Sequence, residues 1–238
     1  MESLIAGLAG STILGVNLVE LLGIIWLSLK VSVSALAIVT LVGLPLAAFL
    51  ALKNFPLRGA VINLFNTFMG LPPVVVGLFL YLILSRRGLL GFMNLLYTPA
   101  AMVLAQTILA FPLVVSLSHA ALVKVDPIIR QAAMTLGATS RQQAVTIIQE
   151  ARYGILAGVM AGLGRATAEV GAVIMVGGNI AGYTRVMTTT IALETDKGNF
   201  ALAMALGIIL LAISLLINLA LRAVQKMGRT ESGIILWD

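Results

Sequence analysis

Two charges stand four residues apart inside an apolar run: Arg165 and Glu169, flanked by Gly154–Gly164 and Val170–Val176. On a helix, positions i and i+4 share a face. A charge at the centre of a bilayer costs about 2.5–3.5 kcal/mol on insertion scales, so this spacing predicts a pair that neutralises itself. Such a pair either lines a path for a charged solute or is a self-contained structural contact, and both readings stay open. Thr188, Thr189 and Thr190 place three hydroxyls just after Arg185. Together they can offer donors to an anion, although the same triplet suits a plain loop-to-helix transition. Pro72 and Pro73 follow Gly70 in a second apolar run. Adjacent prolines remove two backbone donors and break a helix. Carbonyls freed at membrane depth must face protein or a water-lined path, so this point is either a gate or a kink that serves packing. Covalent catalysis finds no support. The chain has no cysteine and one histidine, His119, no Ser/His/Asp or Cys/His set at credible spacing, and no metal-ligand cluster. The phosphate-loop pattern G-x-x-x-x-G-K-[ST] is also missing, so no nucleotide hydrolysis by that route is expected.

The elements that must position these residues are membrane spans. The 238 residues are 60% hydrophobic and 10% charged, with a mean hydropathy of +1.09. Soluble domains lie nearer ~45–50% apolar and ~25% charged. An all-α integral membrane protein is therefore expected, with five spans near 20–52, 60–84, 98–122, 153–178 and 199–222. Residues 1–19 read as an interfacial segment, 179–198 as a polar loop, and 226–238 as a basic tail. No Lys or Arg precedes Lys30, so no cleaved leader is expected. No internal repeat is seen. The net charge of +6 is read as positive charge kept on the cytoplasmic side, not as a nucleic-acid surface. Nine basic residues fall on the 53–59, 123–152 and C-terminal side and four on the other. That imbalance places the N-terminus outside and the C-terminus in the cytoplasm. In the fourth span Gly154, Gly158 and Gly162 recur every four residues and Ala166 continues the row, a smooth stripe for close helix packing.

Between the third and fourth spans, residues 123–152 carry a charge or amide every few positions, which keeps them out of hydrocarbon. Asp126-Pro127 is a helix start, with Asp as N-cap and Pro at the first helical position. Gly137 ends that helix as a left-handed cap. Thr139 and Ser140 each have a Gln three residues on, the capping-box pattern of a second helix. Two short helices joined at a glycine elbow, held outside the membrane, suit docking into a partner's groove.

Gln131-Ala132-Ala133, three residues, Gly137, nine residues and Ile147 resemble the "EAA" loop of permease subunits of ATP-binding-cassette importers. Gln131 stands where that family has Glu, and Gln149-Glu150 where it has Leu-Pro. Gly164 to Ala172, Val176 to Ile180, Thr184 to Thr190, Ala192 to Thr195 and Lys197 to Phe200 are similar to the molybdate and tungstate branch, most of all to tungstate permeases. The resemblance spans roughly residues 20–225. It implies a type I importer permease fold in the cytoplasmic membrane, with Gln131, Ala132, Ala133, Gly137 and Ile147 in the coupling helix that sits on an ATPase subunit. Pro72 and Pro73 become gate elements. It also implies a second permease copy, two cytoplasmic ATPase subunits that bind the ATP and Mg, and an outer solute-binding protein; this chain itself holds no cofactor. Molybdate or another anion is the alternative cargo. The rival reading, a stand-alone channel or secondary carrier, needs its own selectivity residues at the midplane, for which only Lys30, Arg165 and Glu169 qualify.

Overall fold

The computed structural model describes residues 12–13 and 16–230, with side chains from 18 to 219. Most of the expected interfacial segment 1–19, and the tail beyond Thr230, lie outside the described residues. Two short strands, β1 (Thr12–Ile13) and β2 (Val16–Asn17), pair antiparallel and lead directly into a helical bundle.

The first span is α1, Leu18–Leu52. Its 35 residues reach ~52 Å at 1.5 Å per residue, well beyond a ~30 Å hydrocarbon core. Pro45 lies inside it without ending it. The Arg58 guanidinium meets its last carbonyls, donating from Nε to Leu50 O (2.6 Å) and from Nη2 to Ala51 O (3.4 Å).

The second span is not one straight helix. α2 (Arg58–Phe68) and α3 (Pro73–Leu84) meet at 101°. The break is where the sequence dictates it: Gly70 and Leu71 close a turn onto Thr67 O and Phe68 O, and Pro72 is extended and caps α3, with Pro73 at the first position. α2 has no buried residue and its 11 residues reach only ~16 Å.

α4 (Pro99–Val123) is the hub. Thr98 caps it by accepting from Ala101 N, and Ala101, Ala105, Leu109, Val114, Val115 and Leu122 are buried along it. It packs between α1 and α7 (Arg152–Thr167). The glycine stripe of α7 faces α4 within the same chain. A Cβ on Gly154 would stand 2.6 Å from Ala121 Cβ, and one on Gly158 would stand 3.1 Å from Leu117 Cβ. The stripe is thus a packing surface.

The fourth span also bends, by 56°, between α7 and α8 (Gly171–Gly177). The expected polar loop 179–198 is corrected in its second half, while 179–186 stay turn and coil. That half folds into α9, Met187–Asp196, whose Thr188, Thr189, Thr190 and Glu194 are buried. α10 runs Phe200–Thr230, so residues 226–230 continue its helix. Among the described residues three helices are long and apolar enough to cross a membrane, or up to five if each bent pair is one span.

Candidate coupling surface and transport path

The elbow consists of α5 (Pro127–Thr135) and α6 (Ser140–Glu150). Nearly every turn-forming group in it is satisfied locally. Asp126 Oδ1 accepts from Ile128 N (2.9 Å). Gly137 has φ +78°, and Gly137 N and Ala138 N donate to Met134 O and Ala133 O, each at 3.0 Å. That is the two-bond Schellman closure. No atom lies within 4 Å of a Cβ built on Gly137, so glycine is required here by backbone angle and not by space. Thr139 forms the capping box, donating its N–H to Gln142 Oε1 (2.7 Å) while Gln142 N donates to Thr139 Oγ1 (3.4 Å). Gln143, the partner expected of Ser140, instead donates from Nε2 to Ala138 O (2.9 Å).

The motif residues divide into two roles. Gln131 and Ala132 are exposed and Ala133 is half-buried. Ile147 is buried with Ala47, Leu50, Val115, Leu122 and Ala151. It anchors the elbow to the bundle and is not part of the outer surface. The sequence reading missed the apolar tip: Ile128, Met134 and Leu136 are exposed, Leu136 by 87%. At the elbow's root a groove of about 520 Å³ opens beside Lys124, Asp126, Glu150, Gly154 and Gly158.

In the membrane, the two bends pack against each other. A Cβ on Gly77 would stand 2.9 Å from Ala172 Cα, and one on Gly171 would stand 3.7 Å from Pro73 Cβ. Arg165, in the last turn of α7, donates from Nη2 to Leu71 O (3.4 Å), a carbonyl at the proline break. Glu169 lies in the gap between α7 and α8. It is 4% exposed, and its Oε1 accepts from Ala172 N (3.0 Å), capping α8. The expected Arg165–Glu169 pair is therefore corrected. The helix ends at Thr167, the i,i+4 geometry is lost, and the two side chains bond separate backbone groups. Ion pairs among the described residues include Arg185–Glu20 (3.7 Å) and Lys197–Glu194 (2.9 Å).

The threonine triplet faces inward as well. Thr188 Oγ1 donates to Glu169 O (3.0 Å), Thr189 Oγ1 to Asn179 Oδ1 (2.9 Å), and Thr190 Oγ1 to Val186 O (2.7 Å). Arg185 pairs across to the start of α1. Glu194 accepts from Lys197 Nζ and Asn199 Nδ2, and the Lys197 ammonium holds its carboxyl below the ordinary carboxylate value.

Residues 43–227 match the family described as binding-protein-dependent transport system inner membrane component. Over 85% of this chain, it is 45% identical to a probable anion ABC transporter permease protein of Haloferax volcanii, covering 89% of that protein. Over 85% of this chain and 89% of that protein, it is 43% identical to the tungstate uptake system permease protein TupB of Peptoclostridium acidaminophilum. The crystal structure of an amino acid ABC transporter with histidines shares the fold, at TM-score 0.66 and 21% identity over 87% of this chain and 94% of that one. The bundle is thus a type I ABC permease fold, and the chain belongs to the inner membrane components of binding-protein-dependent transport systems.

Proposed function

We propose that this chain is the permease subunit of an importer for a tetrahedral oxyanion, tungstate first among them. The observation that carries this is the 45% and 43% identity, over 85% of the chain, to an anion permease and a tungstate permease. Two copies surround the path, two ATPase subunits carrying ATP and Mg dock on the elbows, and an outer binding protein delivers the anion. The N-terminus lies outside and the C-terminus in the cytoplasm. Gln131, Ala132 and the exposed Ile128, Met134 and Leu136 form the surface offered to the ATPase, with Gly137 and Ile147 fixing its shape and its root. ATP binding draws the elbows together, and the bundle turns the path outward; hydrolysis resets it.

The packed bends at Pro72–Pro73 and Ala168–Val170 are the gate. With Arg165 on a backbone carbonyl, Arg185 on Glu20 and the threonine hydroxyls turned inward, the path holds few groups that grip an anion. That suits conduction, which needs weak, escapable sites. Selection then belongs to the binding protein. The test is to purify the chain with its ATPase and binding protein and measure uptake and binding of tungstate, molybdate and sulfate. Tungstate-dependent uptake that follows the binding protein's preference supports the reading. Uptake without ATP or without the binding protein sinks it.

A further inference from the structure

Between α1, α4, the end of α7, α9 and α10 lies a cavity of about 20 Å³. Ser28, Ser32, Gln106, Thr167, Thr188 and Ser214 all stand in its wall, in a bundle whose other contacts are mostly aliphatic. Gln106 is 4% exposed, and its Oε1 receives no hydrogen bond from the protein. A buried acceptor left unmet costs about 1–3 kcal/mol, and nothing in lipid can supply a donor. A cavity of about 10–15 Å³ with two or more polar partners holds one water. A tetrahedral oxyanion needs several times that room.

We propose that this cavity is a structural hydration site, in which one water donates to Gln106 Oε1 and is held by the surrounding hydroxyls. The site sits where α9 begins within the bundle. First-turn amides of any helix lack intrahelical acceptors, and here Met187 N donates to Ser28 Oγ (2.7 Å) and Val186 N to Thr189 Oγ1 (3.1 Å). Thr188 donates onward to Glu169 O at the bend of the fourth span. The water joins α1 and α4 to that polar seam, and Gln106 acts as a positioning residue for the bend.

Hydroxyl radicals generated from bound water by X-ray pulses oxidise the side chains beside it, and methionine reacts readily. Met187 is 1% exposed and lines the cavity, whereas Met102 is 0% exposed within an apolar cluster. In the assembled transporter in lipid nanodiscs, Met187 is expected to oxidise severalfold faster than Met102. Gln106→Leu is expected to bring Met187 down to the Met102 rate. Equal rates in the unaltered chain overturn the proposal, and this comparison stands even if the variant fails to assemble. Loss of Met187 oxidation on saturation with tungstate also overturns it, because the cavity would then belong to the transported anion.

Discussion

The elbow and the paired membrane bends both interrupt helices, and they solve the interruption in opposite ways. In the elbow the freed groups are met within a few residues, by Asp126, Gly137 and the Thr139–Gln142 box. Its folding asks little of the bundle beyond the Ile147 anchor, and its outer face is left bare. In the membrane, bulk water does not reach a freed carbonyl or amide. The bends add contacts across the chain to their local ones: Arg165 reaches Leu71 O from 94 positions away, and Thr188 reaches Glu169 O from 19. The elbow is therefore held together largely by its own residues, whereas the bends are tied to one another by contacts distant in sequence.

Substitution at Gly137 should show the contrast most strongly. A β-branched residue in the left-handed region costs about 1–2 kcal/mol, and only the elbow feels it. Gly137→Val is expected to leave the chain in the membrane while abolishing binding-protein-stimulated ATP hydrolysis. Wild-type stimulation would show that the elbow does not carry the coupling.

Ile147 joins the module to the bundle. Truncating a buried Ile costs about 2–5 kcal/mol, so Ile147→Ala should lower the thermal stability of the purified protein and loosen ATPase docking together. A docking defect with unchanged stability would mean that Ile147 touches the partner directly.

Arg165 and Glu169 sharpen the comparison on the membrane side. Because they bond separate backbone groups, the coupling energy in a double-mutant cycle of Arg165→Ala and Glu169→Ala should stay below about 0.5 kcal/mol. Glu169→Ala should be the more damaging, since it uncaps a buried helix start. A large coupling energy would restore the ion pair that the i,i+4 spacing suggested.

The smallest effect belongs to Glu194. Its folded-state pKa is depressed, chiefly by the hydrogen bond from Lys197. The stability it contributes is therefore full above the ordinary carboxylate value of about 4.3 and is lost as pH falls through the depressed one. Glu194→Gln should melt below the unaltered protein at neutral pH and converge with it in acid. A gap that persists in acid would assign the loss to packing.

These same contrasts decide what could be read from residues alone. The caps at Asp126, Gly137 and Thr139 are local chemistry at fixed offsets and appear in the sequence at the positions where they act. Pro72–Pro73 announces its own break. The bend at Glu169 does not, because Ala166 to Val170 contains neither proline nor glycine, and its cause is a carboxylate capping the next helix. The burial of α9 was hidden for a similar reason. Threonine and glutamate read as loop until Asn179, Lys197 and Asn199 are seen to satisfy them. The Arg185–Glu20 contact joins the start of the first span to a residue after the fourth, a distance no local pattern reports.

One measurement reaches the claim that the elbow is a bare, cytoplasmic docking surface. The chain has no cysteine, and Ala132 is exposed on α5, so Ala132→Cys provides a single thiol there. In intact cells an impermeant thiol reagent should leave it untouched. After permeabilisation it should react, and bound ATPase subunits should protect it. Labelling from outside, or labelling inside that the ATPase does not slow, would contradict the account.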